Sequence, residues 1–234
     1  MKPRSFKSYF MQSKKFHLVP LLFLACTFQA LSQSVSIGVS GGPALTDLRF
    51  ENDFTNALFD PAVGFRAGGN LTWRFSKFLG LRTGLDFERK GGRSDLVFSD
   101  ENGLPIAEVT RREMFDFVAI PVMLEASFGN KVRGIVQVGQ SVGILVQHTA
   151  SFKNLPPING DDKFHRTDQF NRLEHAIIGG LGMETDISGN LAFQFLIRPT
   201  YGLSNINDSD ISFGALELQT FSLAATVGLQ LFLR

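Results

Sequence analysis

Apolar and polar residues alternate one by one through most of the chain after residue 33. In 63–75 one face reads Val63, Phe65, Ala67, Gly69, Leu71, Trp73, Phe75, and the other Gly64, Arg66, Gly68, Asn70, Thr72, Arg74. Residues 79–88 place Leu79, Leu81, Leu85 and Phe87 opposite Gly80, Arg82, Gly84, Asp86 and Glu88. The last stretch sets Phe221, Leu223, Ala225, Val227, Leu229, Leu231 and Leu233 against Ser222, Ala224, Thr226, Gly228 and Gln230. Period two over such lengths predicts strands with one apolar face, and no long stretch keeps a helical period. Eight strands are predicted, near 35–45, 62–75, 78–90, 112–126, 132–147, 172–187, 190–203 and 218–233.

Most of these exceed the five or six residues usual in soluble sheets. A strand tilted across a bilayer needs about 9–11 residues, and these reach that length. The connections alternate strictly. Ser76-Lys77, Ser127-to-Lys131 and Ser188-Gly189 are short, whereas 46–61, 91–111, 148–171 and 204–217 are long and polar. Short periplasmic turns alternating with long extracellular loops are the pattern of a bacterial transmembrane barrel, whose strand count is even. The predicted fold is all-β: an eight-stranded antiparallel transmembrane β-barrel.

A soluble eight-stranded barrel also alternates, with apolar residues inside. The polar face here combines Gly64, Gly68, Gly80, Gly84, Gly180 and Gly182 with charges of both signs, which suits a narrow lumen filled by side chains. The apolar face then meets lipid. Of the aromatics, 24 are Phe, against one Trp and two Tyr. Trp73, Phe75, Phe78, Phe128 and Phe232 are expected in the periplasmic aromatic girdle, and Tyr201 and Phe221, with Phe115 and Phe117, towards the outer rim. A closed barrel satisfies every backbone group without an edge, as lipid requires.

The N-terminus has a different grammar. Residues 1–32 hold Lys2, Arg4, Lys7, Lys14 and Lys15 without an acid, then the apolar run Leu18–Cys26, then Ala30-Leu31-Ser32. That order is a secretory signal peptide cleaved after Ser32, with Met11 as an alternative start. The run is too short to span a membrane as a helix, and Cys26 offers a lipidated cysteine as a second reading. The domain boundaries are therefore 1–32 for the leader and 33–234 for the barrel. Removal of those 32 residues takes five of the 23 basic side chains and the single Cys. It leaves 202 residues, 18 basic against 22 acidic side chains, and a net charge of −4. No disulfide framework and no basic footprint for nucleic acid remain.

Several segments carry a family resemblance. These are Ile37-Gly38-Val39-Ser40-Gly41-Gly42-Pro43-Ala44-Leu45, Leu79-to-Gly91 ending in Lys90-Gly91, and Phe117-Val118-Ala119-Ile120-Pro121-Val122-Met123-Leu124. Ile178-Gly179-Gly180-Leu181-Gly182-Met183-Glu184 and Arg198-Pro199-Thr200-Tyr201-Gly202-Leu203 follow in order. Together they resemble the PorT-like outer-membrane β-barrel family of Bacteroidetes-type bacteria, with Ala119 in place of the usual Glu. The resemblance implies a barrel in the outer membrane. The family's name is tied to a gliding and protein-secretion apparatus.

Polar chemistry concentrates on the lumen face, where Arg66, Arg74, Arg82 and Arg198 are expected to pair with Asp86, Glu88, Glu125 and Glu184. Mutual pairing is required, because isolated buried charges are very costly. The reading is a plug of ion pairs and not an open pore. His148, His165, Asp161, Asp162 and Asp168 share one loop but lack metal-ligand spacing. His148 with Ser151, or His175 with a neighbouring acid, are the candidate catalytic pairs of a lipid-acting barrel, and no Gly-x-Ser-x-Gly elbow is present. No catalytic, cofactor or metal site is expected. The leading expectation is a structural or interaction barrel contacting outer-membrane lipid, with 46–61, 91–111 and 148–171 as its contact surface. An accessory of an envelope secretion machine is the alternative, and a small barrel enzyme comes third.

Overall fold

Among the described residues nine strands are formed: β1 (Ser34–Phe50), β2 (Asp60–Arg74), β3 (Leu79–Ser99), β4 (Pro105–Gly129), β5 (Val132–Leu155), β6 (Gly160–His165), β7 (Leu173–Ser188), β8 (Leu191–Gly202) and β9 (Leu218–Leu233). They come from a computed structural model that describes residues 34–50, 59–99, 102, 105–155, 160–208 and 217–233. The leader reading of 1–32, with Cys26 and Met11, lies outside the described residues.

Eight strands form the wall, in the order β4-β3-β2-β1-β9-β8-β7-β5, and β4 pairs with β5 to close the ring. All wall pairings are antiparallel, including β1 with β9 at the seam between the chain's two ends. The ring leaves no free edge in the wall, and β6 folds back on β5 above it. At one end the strands join through tight turns at 75–78, 130–131 and 189–190. The Ser76 hydroxyl accepts the amides of Phe78 and Leu79 in the first of these. Gly129 opens the second at φ 116°, where an added Cβ would meet the Val132 carbonyl.

The long connections differ from expectation. Of 91–111, β3 continues to Ser99 and β4 begins at Pro105, so most of this segment is paired strand. In 148–171, β5 runs to Leu155 and β6 returns along it. The predicted loop 46–61 contributes Thr46–Phe50 to β1. These extensions carry polar residues on their outer face, so apolar periodicity ends while backbone pairing continues. The wall is consequently uneven, tall along β3–β6 and low along β7–β9.

Burial follows the period. Val39, Val63, Leu71, Leu85, Val138 and Leu181 point outwards and are exposed, while Thr72, Arg82, Glu125, Gln137, Glu184 and Gln194 are buried inside. An apolar surface this continuous is a lipid-facing belt and not a core.

Candidate functional site

The lumen is the most elaborate polar site. Small residues on the inner face make the room. A Cβ on Gly68 would meet the Asp86 carboxylate and the Leu85 carbonyl, and one on Gly38 would meet the Gln230 amide. Into that space β2 and β3 project Arg66, Asp86 and Glu88. Arg66 lies 2.5 Å from Asp86 and 2.9 Å from Glu88, with all three almost fully buried. Lys90 continues the same face of β3, 3.2 Å from Glu88 and 2.6 Å from Glu174 of β7, and the Thr220 hydroxyl donates to the other Glu174 oxygen.

Towards the short turns a second group centres on Glu125 and Glu184. Arg74 bridges them at 3.2 and 3.1 Å, and Arg82 reaches Glu125 at 3.3 Å and the side-chain Oε1 of Gln194 at 2.9 Å. Gln137 donates to Glu125, Gln194 donates to Glu184, and Arg133 adds a 2.8 Å contact to Glu184 and a 2.6 Å contact to Asp186. Several residues therefore join one carboxylate across the barrel from different strands. Arg198 stands apart. It is buried among Arg82, Arg66, Asp86 and Glu125, yet makes no ion pair among the described residues, and its Nε and Nη2 have no hydrogen-bond partner.

Reading the strands separately missed Lys90, Arg133, Gln137, Glu174 and Gln194. Their signal was present: each lies on the inward parity of its strand, as Lys90 follows Arg82, Asp86 and Glu88.

The long-loop end of the lumen is built differently. Leu48, Phe50, Phe115, Phe117, Leu145 and Leu218 pack there with Phe170 and Ile206. The last two come from connections folded across the mouth: Asn171 donates its amide to the Ile206 carbonyl, and Ile206 donates to Leu218. Phe115 and Phe117 are 0% exposed, so they belong to this cap and not to the outer rim. Both rings keep the inward parity of Ala119, Met123 and Glu125 on β4, while a register shift beside them, with an extra residue in β5 between Leu145 and Gln147, turns His148 inward. Beside them His148 lies 2.6 Å from Glu113, its ring 4.6 Å from Phe115 and 4.4 Å from Phe170 between centroids.

A closed ring with an apolar exterior and a charged interior is the architecture of a transmembrane barrel. The profile of the outer membrane protein beta-barrel domain matches residues 29–208. The chain belongs to that family. As an outer membrane protein beta-barrel domain, it resides in the bacterial outer membrane. No curated protein matches it. Among solved structures it is similar to Neisserial surface protein A, with 13% identity, 86% of this chain and 98% of that chain covered, and a TM-score of 0.44. The outer membrane protease OmpT from Escherichia coli is similar at 11% identity, with 88% and 100% covered and a TM-score of 0.45. Ail, the attachment invasion locus protein of Yersinia pestis, in complex with the heparin analogue sucrose octasulfate, is similar at 14% identity, with 84% and 98% covered and a TM-score of 0.40.

On the outer surface of this membrane barrel, Trp73, Phe78, Phe128 and Tyr201 are exposed. Phe75 meets the Trp73 ring edge-on, Phe78 stacks on Phe128, and Phe221 lies under Arg49. Phe232 departs from the girdle expectation. It shares the inward parity of Gln230, opposite Ser36, and its ring lies 5.0 Å from the Arg74 guanidinium and 5.5 Å from that of Arg133.

The other candidate constellations separate. His148 is buried inside, whereas Ser151 lies on the opposite face of β5. His175 points outwards while neighbouring Glu174 is buried in the lumen. Exposed His165 bonds Gln147 and Thr149, and no three His, Cys, Asp or Glu side chains converge among the described residues.

Proposed function

We propose that this outer-membrane barrel is a non-conducting structural and interaction protein, its lumen closed by its own side chains. The observation that supports this most directly is the stacking of two plugs along one axis, the ion-paired section and the apolar cap. Eight strands enclose an interior just wide enough for side chains to fill. Apart from Lys90–Glu88 within β3, the ion pairs of the lower plug join residues from different strands, so opening a path requires breaking several contacts together. Reconstitution into planar bilayers is the test. The expected record is a flat baseline without unitary steps, and a steady unitary conductance from the folded protein overturns the reading.

A second reading, an accessory of an envelope protein-secretion machine, draws on the tall β3–β6 wall, which offers a protein a paired-strand surface beyond the lipid belt. It also draws on the PorT-like resemblance. Detergent-solubilised co-purification separates the two, because stoichiometric recovery of secretion components favours the accessory role. Both readings are non-enzymatic, in keeping with the opposite faces taken by His148 and Ser151. Loss of a lipid-modifying activity on His148→Ala or His175→Ala would be required to revive catalysis.

A further inference from the structure

Just beyond the lipid belt, the outer wall of β3–β6 changes from apolar to basic. Lower down this face carries Phe87, Val118 and Ile144, with Phe65 of β2 beside them. Above them, register places Arg93 opposite Arg112, Arg112 opposite Ser151, and Ser151 opposite Lys163, one outward row across four strands. Lys153 stands one outward position above Ser151, and Arg89 stands two below Arg93. These residues line a concavity of about 770 Å³ that also includes Pro61, Val63 and Met114.

The charge in this concavity is not balanced by the chain. Arg89 is held 2.6 Å from Asp116, and Arg93 lies 3.3 Å from Asp95 and 4.0 Å from Asp60. Arg112, Lys153 and Lys163 form no ion pair among the described residues. The Arg93 Nε is buried without a hydrogen-bond partner. Like charges directly opposite on neighbouring strands destabilise a sheet, and Arg93 faces Arg112 in that relation. An anion between them would remove the penalty. Phosphate suits two guanidiniums, each a fixed fork of donors, with an ammonium beside them.

Position selects the source of that anion. The row lies on the outer wall and not on the end of the barrel, directly above the surface that faces acyl chains. The same concavity has an apolar flank in Pro61, Val63 and Met114. We propose that it binds the phosphorylated headgroup of an outer-leaflet glycolipid, with Arg93, Arg112 and Lys163 around a phosphate and the apolar flank against the lipid body.

Native mass spectrometry of the full-length folded protein in detergent tests this with a bis-phosphorylated lipid A, its dephosphorylated form, inorganic phosphate and sucrose octasulfate as probes. Retention of the phosphorylated lipid at least tenfold above the dephosphorylated form is expected, falling about tenfold in Arg93→Gln/Arg112→Gln and in Lys163→Gln. Lys77→Gln at the opposite membrane face should leave it unchanged. Folding of each variant is checked by the mobility difference between unboiled and boiled samples, and Lys163→Gln alone decides the matter if the double variant fails to fold. Equal retention of both lipids overturns the proposal, as does indifference to the substitutions. Displacement by millimolar inorganic phosphate, or tighter binding of the sulfated sugar than of the lipid, also overturns it by assigning the site to a free anion.

Discussion

The two halves of the lumen solve the same packing problem with opposite chemistry. Near the short turns, charged groups fill the space and each carboxylate takes several donors: Glu184 receives Arg74, Arg133 and Gln194. Near the long loops, Phe115, Phe117, Phe170 and their neighbours pack as in a soluble core. The ionic half must be complete to be stable, since removing one partner strands another buried charge. The apolar half loses stability roughly in proportion to what is removed. The first is a lock between strands, and the second is a stopper contributed partly by loops.

Glu184→Leu gives the largest expected effect. It leaves Arg74 and Arg133 with one acceptor fewer in a buried site, costing about 3–5 kcal/mol. Urea unfolding of the refolded protein in micelles measures it, and a loss below about 1 kcal/mol would mean the lumen is wet enough to solvate the stranded guanidiniums. A cycle on Arg66 and Asp86 sharpens the point. Arg66→Met and Asp86→Leu together should cost less than the sum of the single changes, by about 1–3 kcal/mol, because Arg66→Met strands Asp86 and Asp86→Leu takes one of the two carboxylates from Arg66, whereas the double variant removes both members of the pair. Additivity would contradict the lock.

Phe117→Ala follows at about 3 kcal/mol, from lost transfer energy and the cavity left behind. It sits at the border of the halves, with the Lys90 ammonium 5.2 Å from its ring centroid. The same unfolding experiment checks it, and the bilayer baseline should stay flat because the ionic plug below is intact. Steady conductance in Phe117→Ala would show that the cap alone closes the lumen.

These halves were unequally legible in the sequence. The wall and its lipid face could be read because side-chain period two is enforced wherever one face meets lipid, as in 63–75 and 221–233. The eight charged candidates lie on inward parity for the same reason. Beyond the belt both faces of a strand meet polar surroundings, so β3 past Gly91 and β5 past His148 lost their signal although pairing continues. Phe115 and Phe117 share the inward parity of Met123 and Glu125, so alternation marks them as inward although their aromatic character suggested the rim, whereas the extra residue of β5 that turns His148 inward is marked by no composition rule. Partners across the barrel, such as Lys90 with Glu174, depend on strand tilt and stagger, which no single strand encodes.

Phe232 offers the finest test, being an aromatic ring in the ionic half. Two guanidiniums lie over it, so its contribution there includes an attraction between cation and ring face as well as bulk. Phe232→Leu keeps most of the apolar volume and removes the ring, with an expected cost of about 1 kcal/mol. If the attraction accounts for it, the cost should shrink to roughly half in an Arg74→Met background, where one of the two cations is gone. An undiminished cost would instead make Phe232 plain packing, and the division between the two halves of the lumen would then lie closer to the short turns than the ion pairs alone indicate.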